Sequence, residues 1–508
     1  MKRRFAFLAA LALLAALAVA PITSSAPPTD TSTLRQAVTV SGIMAHEQAF
    51  QEIATQNPVD GIPTRASGTP GYQASVNYVV GKLQGAGYNV TVQPFTFPFF
   101  QETGPQEFER LAPSLRDYVR GTDFDIMEYS GAGDVTANVV PTNDIVIPPG
   151  ATAGSSNSGC EASDFPASTA GNIALIQRGT CDFVVKAQNA EAAGAIGAII
   201  FNEGQPGRTD IINGTLGGPV DIPVLDTTFA VGEELYTLAQ TSTVTVHILT
   251  STISETRSTS NVIANTPTGR TDRVVLAGAH LDSVPEGPGI NDNGSGSSTI
   301  LEVALQMSNL GIKPTNQVRF VFWGAEEAGL LGSEHYVNTL TSRQRKDIAL
   351  NLNFDMVGSP NFVRFVYDGN GSDTPVKGPT GSATIEDVFL DYFNSQGLAT
   401  EPTAFDGRSD YGPFIAVGIP AGGLFTGAEG IKTPEQAAIY GGTAGIAYDS
   451  CYHQLCDTIA NVNTTAIDQM SDATAHATLV FAMTSSAVSG TNRAAGPKLE
   501  RKGDKYRR

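Results

Sequence analysis

The sequence predicts an α/β sheet with helices on its faces, interrupted by a smaller β-rich unit, and three observations predict it. From Val274 onwards, apolar runs of strand and helix period alternate. Between Asp134 and about Ile253 the character changes to short β-branched runs separated by Gly, Pro and Ser. Before that stretch, a helical period over 72–84 leads into a strand, so the β-rich unit interrupts one α/β domain. The 508 residues, 41% hydrophobic and 16% charged, exclude disorder throughout and allow about two to three domains.

Taken in order, Lys2-Arg3-Arg4 precedes an apolar run from Phe5 to Ala20, with small-residue cleavage signatures ending at Ala20 or Ala26. That pattern predicts a secretory signal peptide over 1–26; the run is shorter than the roughly 20 residues that span a bilayer. Over 72–84, Val76, Tyr78, Val79, Val80 and Leu83 fall near helical spacing, and Gly85-Ala-Gly87 ends the segment before a strand from Tyr88 to Pro94. The β-rich unit, 134–253, holds one helix-like stretch, Phe183 to Ala193. Then follow strand Val274–Ala277, helix Ser297–Leu310, strand Val318–Phe322, a helix from Glu326 and strand Ile348–Phe354. Domain parts at 37–133 and 254–490 therefore flank the unit, and 491–508 is a basic tail, disordered or processed.

The net charge is −19. Setting aside the ten basic and two acidic residues of the two ends leaves 21 basic against 48 acidic, so the body lacks the electrostatic footprint of a nucleic-acid binder. Four cysteines in an exported chain point to two disulfides. Three connectivities are possible, and the positions favour local pairs, Cys160 with Cys181 and Cys451 with Cys456. Closing those loops is worth about 3 and about 2 kcal/mol, so the short loop is better explained by shape than by stability.

Three predicted strands lead into metal-binding residue types: the first to His280 and Asp282, the second to Glu326-Glu327, the third to Asp355. Between the first two, the turn-rich Gly289-Ile-Asn-Asp-Asn-Gly-Ser-Gly296 presents Asp292, and His453 lies between Cys451 and Cys456. Two neutral imidazoles and three carboxylates balance two zinc ions that share one hydroxide, a set suited to hydrolysis. Glu326, left over beside Glu327, is the natural general base. Each piece has a bland alternative as well: Glu-Glu as a solvated helix start, His-x-Asp as a surface pair, Asn-Asp-Asn-Gly as plain turn chemistry. What distinguishes the set is that several such elements follow strands of one sheet.

The blocks Ala279-His-Leu-Asp-Ser283, Gly289–Gly296, Trp323-Gly-Ala-Glu-Glu-Ala-Gly-Leu330, Asn353-Phe-Asp-Met-Val-Gly358, Gly407-Arg-Ser-Asp-Tyr411 and Cys451-Tyr-His-Gln-Leu-Cys-Asp-Thr458 resemble the secreted co-catalytic di-zinc aminopeptidases. Arg65-Ala-Ser-Gly-Thr-Pro-Gly71 adds to that likeness. The β-rich unit resembles a protease-associated (PA) domain through Gly171-Asn-Ile-Ala-Leu-Ile-Gln-Arg-Gly-Thr-Cys181, Phe183, Lys186 and Ala193-Gly-Ala-Ile-Gly197, a likeness that implies the Cys160–Cys181 bridge. The resemblance implies the zinc-exopeptidase fold, a mixed central sheet flanked by helices. It places His280 and Asp355 on one zinc, Glu327 and His453 on the other, and Asp292 between them, with Asp282 orienting His280. It makes Glu326 the base toward a water bridging both ions, has Tyr452 and Arg408 hold the substrate carbonyl, and implies a cis peptide at Asp292–Asn293. Met356 and Phe425 match pocket positions, favouring large hydrophobic N-terminal residues such as Leu. Asp468 and Asp472 match a structural calcium (Ca2+) site of some relatives, but their partner position holds Ala37, and a solvated helix face explains the pair equally. His46, His247, His335 and His476 match no ligand position.

The implied activity is removal of N-terminal residues from peptides and proteins outside the cell. The implied partners are substrates with a free N-terminus, without nucleic acid, without a membrane anchor once the leader is removed, for a monomeric chain. A carboxypeptidase or dipeptidase of the same clan is the alternative; the histidine loop bounded by cysteines and the short chain beyond His453 favour the aminopeptidase. A metal-free receptor would have lost ligands, and a glutaminyl cyclase would need one catalytic zinc.

Overall fold

The computed structural model describes residues 29–484. The predicted signal peptide at 1–26 and the predicted basic tail at 491–508 lie outside the described residues. The central sheet runs in the order Glu401–Thr403, Phe365–Tyr367, Ala421–Phe425, Ile348–Phe354, Arg270–His280, Asn316–Trp323, Thr245–Asn265, with Asn89–Ala112 paired to the last. The four strands from Ala421–Phe425 to Asn316–Trp323 are parallel, and antiparallel neighbours flank them on both sides. This is the mixed sheet that the resemblance implies.

Side chains alternate across these strands and so build two cores. Val275, Ala277, Phe320, Phe322, Leu350 and Leu352 meet the helices Val40–Gln56, Pro70–Gly85, Gly296–Asn309 and Thr464–Met483 on one face. On the other, Val274, Leu276, Val321 and Trp323 meet Tyr336 and Val337 of the helix Leu331–Thr339 and Phe414 of Gly412–Ala416. The helix Pro70–Gly85 starts where Thr69 accepts the Tyr72 amide and Pro70 fills the first turn.

One predicted element differs. No helix begins at Glu326: Ala325 and Leu330 both have positive φ, +53° and +64°, so the chain turns there and the helix starts only at Leu331. The two glutamates thus project from a turn at the sheet's edge instead of lying along a helix flank.

Strand Asn89–Ala112 is much longer than Tyr88–Pro94, and it pairs with Thr245–Asn265 from Asn89↔Asn265 to Ala112↔Thr245. This two-stranded ribbon carries the chain out of the peptidase sheet and back. At its far end, Gly133–Pro141, Ile173–Gln177, Gly197–Phe201 and Val224–Thr227 form a sheet whose successive pairs are parallel. Helix Phe183–Ala192 covers one face and Phe229–Ala239 the other. The second helix escapes sequence analysis because Gly232 interrupts its pattern, yet only glycine fits there, since an added Cβ would collide with Phe201. Residues 113–133, grouped by sequence with the first peptidase part, pack with the insert: Phe124–Ile126 pairs with Val224–Thr227, and Tyr118, Phe124 and Ile126 join its core.

Gly296 opens the helix Gly296–Asn309 against the end of Ile348–Phe354, and a Cβ there would meet the Phe354 carbonyl and the Asn293 amide oxygen. Gly296→Ala should therefore destabilise the protein by about 1–3 kcal/mol, measured by urea unfolding.

Candidate active site

The parallel strands Arg270–His280, Asn316–Trp323 and Ile348–Phe354 end side by side, and the residues that follow them converge. His280 Nε2 lies 3.2 Å from Asp292 Oδ1 and 3.3 Å from Asp355 Oδ1. His453 Nε2 lies 3.3 Å from Asp292 Oδ2 and 3.0 Å from Glu327 Oε2. The two oxygens of Asp292 thus face two imidazoles on opposite sides. Glu326 is 3.9 Å from His280 Nε2, with only 8% of its surface exposed. The Asp282 carboxylate sits 3.7 Å from His280 Nδ1 and accepts the Glu326 amide, while its own carbonyl is the nearer acceptor for Nδ1, at 3.1 Å.

Several elements hold the turn that presents Asp292. The Asp457 carboxylate accepts the amides of Asn291 and Asp292 at 2.9 and 3.0 Å. The buried Arg65 guanidinium donates to the carbonyls of Leu281, Pro288 and Gly289, clamping the His280 strand end to the Asp292 turn. Asn293 donates to the Phe354 carbonyl and accepts the Gly296 and Met356 amides, so it locks the turn onto the strand that leads to Asp355. The Asp292–Asn293 peptide is cis. On the far side, Ser409 Oγ donates to Asp355 Oδ2 at 2.6 Å and is itself fixed by Asn353. Disulfides join Cys160 to Cys181 and Cys451 to Cys456, and His453 stands inside the second loop at φ +58°.

Sequence analysis assigned no role to Arg65, Asp457 or Ser409, although all three lie in blocks it singled out. Their partners are mostly backbone groups distant in the chain, which no spacing rule shows.

With protein groups alone, the charges are far from balanced. Burial, then the carboxylates of Glu327, Asp410 and Asp355, push Glu326 well above the usual carboxylate range against His280. Burial opposes charge on His453, yet Glu327 and Asp292 lift it to about 10. Asp292, despite burial, is held well below its ordinary value by the two histidines. Glu327 Oε1, Asp355 Oδ1 and His453 Nε2 are buried without a hydrogen-bond partner. Donor atoms of His280, Asp292 and Glu327, and again of His280, Glu326 and Asp355, lie within 4.8 Å of one another. Orphaned nitrogen and carboxylate donors gathered in this way fit divalent metal.

A cavity opens onto the cluster. Met356, Tyr367, Phe425 and Leu330 give it an apolar side, and Arg408 and Tyr452 a polar one. Arg408 pairs with Glu429 at 2.7 Å and reaches Tyr452 Oη at 3.3 Å, while the Tyr452 ring stacks on His453. The remaining predicted pair lies elsewhere, on the helix Thr464–Met483. There the Asp472 carboxylate meets the Arg35 guanidinium at 3.4 Å and the Tyr392 hydroxyl at 3.2 Å, so a cation of the protein already stands beside it. Among the described residues, neither Asp468 nor Asp472 belongs to a metal-capable group of three. His46, His247 and His476 are hydrogen-bonded within the structure, and His335 stacks on Phe95.

Comparison with known proteins agrees with this geometry. Residues 261–478 match the model of peptidase family M28, and residues 135–235 match the PA domain. An aminopeptidase of Pseudomonas aeruginosa is 48% identical over 470 residues, covering 92% of this chain and 85% of that protein. Leucine aminopeptidase 2 of Trichophyton equinum is 41% identical, covering 85% and 82%. Among solved structures, an aminopeptidase from Aneurinibacillus sp. strain AM-1 superposes with a TM-score of 0.62 at 24% identity, over 92% of this chain and all of that one. A zinc aminopeptidase from Bacillus subtilis gives a TM-score of 0.54 at 24% identity, over 93% and 99%. With the fold, the convergent donors and relatives of this identity in agreement, the chain belongs to peptidase family M28, as a metallo-aminopeptidase that carries an inserted PA domain.

Proposed function

We propose that the protein is a secreted two-zinc aminopeptidase that removes single N-terminal residues, with a preference for large apolar ones such as Leu. The observation that carries the two-ion reading is the Asp292 carboxylate, whose separate oxygens face His280 and His453. His280 and Asp355 would hold one ion, Glu327 and His453 the other, and Asp292 both. Zinc in these positions supplies Lewis-acid polarisation of the scissile carbonyl and lowers the pKa of the attacking water.

The chain's own groups do the rest. Glu326 takes the proton of the attacking water at its carboxylate and returns it to the leaving amine. Tyr452 Oη and the Arg408 guanidinium, side by side on the cavity wall, meet the carbonyl oxygen as it gains charge. The apolar side with Met356 and Phe425 takes the N-terminal side chain. Acidic surroundings favour a free amine there, and a blocked one forfeits that attraction. Two disulfides among the described residues, together with the apolar leader in the sequence, support export. No described helix is long and apolar enough to cross a membrane.

Leucyl-p-nitroanilide should be cleaved while its N-acetylated form is not, with about two zincs per chain by elemental analysis of the same sample. Two bound zincs with cleavage of neither compound would favour a carboxypeptidase or dipeptidase. Glu326→Ala should keep its metal and lose at least about 100-fold in kcat; unchanged turnover would remove Glu326 from the mechanism. Asp292→Ala should lose metal together with activity, and full two-zinc occupancy in that variant would refute its bridging role.

A further inference from the structure

A second cavity opens on the other side of the cluster, and Glu327 lines both. His453 and Asp282 also border the second one, so it begins at the same donors that the first one ends on. Its wall includes Phe97, Phe99 and Phe100 of the long ribbon, and Tyr129 of the segment that packs with the insert. Phe97 and Phe99 are buried against Ala325, within the turn that presents the glutamates. The Phe100 and Tyr129 rings lie 5.7 Å apart. Tyr129 has φ +72°, a conformation that bulky residues rarely adopt, and the Ser254 hydroxyl donates to its carbonyl at 2.7 Å. Two exposed carboxylates, Glu128 and Glu286, stand at the rim.

We propose that this second cavity receives the leaving side of the substrate, taking an apolar or aromatic side chain on the first residue after the cleaved bond and turning acidic groups away. The proposal rests on the aminopeptidase reading and deepens it. If the N-terminal side chain fills the first cavity and the scissile carbonyl sits at the cluster, the peptide continues from that point, and the second cavity starts there. Phe97, Phe100 and Tyr129 offer apolar surface to a side chain entering it, while the Arg257 guanidinium, paired with Glu255, lies 3.4 Å over the Phe99 ring, and a pocket of this kind distinguishes side chains mainly by their apolar size. Glu128 and Glu286 repel an aspartate side chain, and they repel the terminal carboxylate of a dipeptide as well. Longer peptides, whose carboxylate is further away, escape that penalty. The insert and its flanking segment would thereby contribute to specificity without touching the reacting bond.

The test uses the full enzyme and four substrates: leucinamide, Leu-Ala-amide, Leu-Phe-amide and Leu-Asp-amide. Leucinamide releases only ammonia, reports the basal reaction and does not enter the second cavity. The expected kcat/KM for Leu-Phe-amide exceeds that for Leu-Ala-amide by about 10-fold, with Leu-Asp-amide the poorest of the three peptides. The double variant Glu128→Gln with Glu286→Gln, at two exposed positions, should raise Leu-Asp-amide at least about 3-fold and leave leucinamide unchanged. Three peptides within about 2-fold of one another would overturn the proposal. So would a double variant that changes leucinamide and Leu-Asp-amide by the same factor. Failure to cleave any of the four, with metal bound, would remove the aminopeptidase reading itself, and this subsite with it.

Discussion

Everything at the site depends on holding Asp292, Glu326, Glu327 and Asp355 together in a space that water scarcely reaches. Buried like charges repel strongly, and among the described residues two imidazoles, His280 and His453, stand against them. A divalent metal relieves this repulsion when it binds, but the chain must keep the donors in place beforehand. It does so with hydrogen bonds aimed at the backbone. Arg65 binds three carbonyls across two loops, Asp457 binds two successive amides, and Asn293 joins the Asp292 turn to the strand before Asp355. Because these bonds fix main chain, the clustered side chains keep outer atoms free, as the orphaned oxygens of Glu327 and Asp355 show.

The same demand explains the sheet. Parallel strands bring their carboxyl ends to one edge, so His280, the glutamate turn and Asp355 arrive together with no long loop to order. The insert leaves from the lateral edge of the sheet next to Asn316–Trp323, on a ribbon of two strands, each over twenty residues long. The ribbon packs its aromatic residues Phe97 and Phe99 against the glutamate turn, which couples the base of the insert to that turn directly. A flexible linker could not do this, since it would leave Ala325 and Ala328 without apolar cover.

The part of this legible in sequence is the part that chemistry and strand period write locally. Strand Ile348–Phe354 was readable to the residue because Ile348, Leu350, Leu352 and Phe354 alternate along it and it leads into Asp355, and the disulfide pairs were readable from their short separations. The helix supposed to start at Glu326 was not, because the positive φ at Ala325 and Leu330 is imposed by packing and leaves no glycine at either position to announce it. Arg65 was seen only as one letter of a matching block, since its partners lie more than two hundred residues away and are carbonyls that every residue owns. The acidic pair at Asp468 and Asp472 shows the converse: the resemblance left a calcium site and a solvated helix face equally open, and the structure brings Arg35 to Asp472.

His453 shows how a loop can hold a donor as well as a strand does. Its loop is pinned at both ends: by the Cys451–Cys456 bridge across its base, and by Asp449 and Asp457 on either side. Asn461 donates to both acids, and Asp449 also accepts from Asn291 while Asp457 accepts the Asn291 and Asp292 amides. Burial, above all, pushes Asp457 up to about 7, yet the two amides it accepts draw it down and favour its charged form. The acid thus ties the histidine loop to the Asp292 turn through main chain on one side and covalent chain on the other. Displacing the Asp292 turn would break two hydrogen bonds from backbone amides to a buried carboxylate. Asp292 and His453, about 160 residues apart in the chain, are therefore held as one piece, so that each keeps its place against the other.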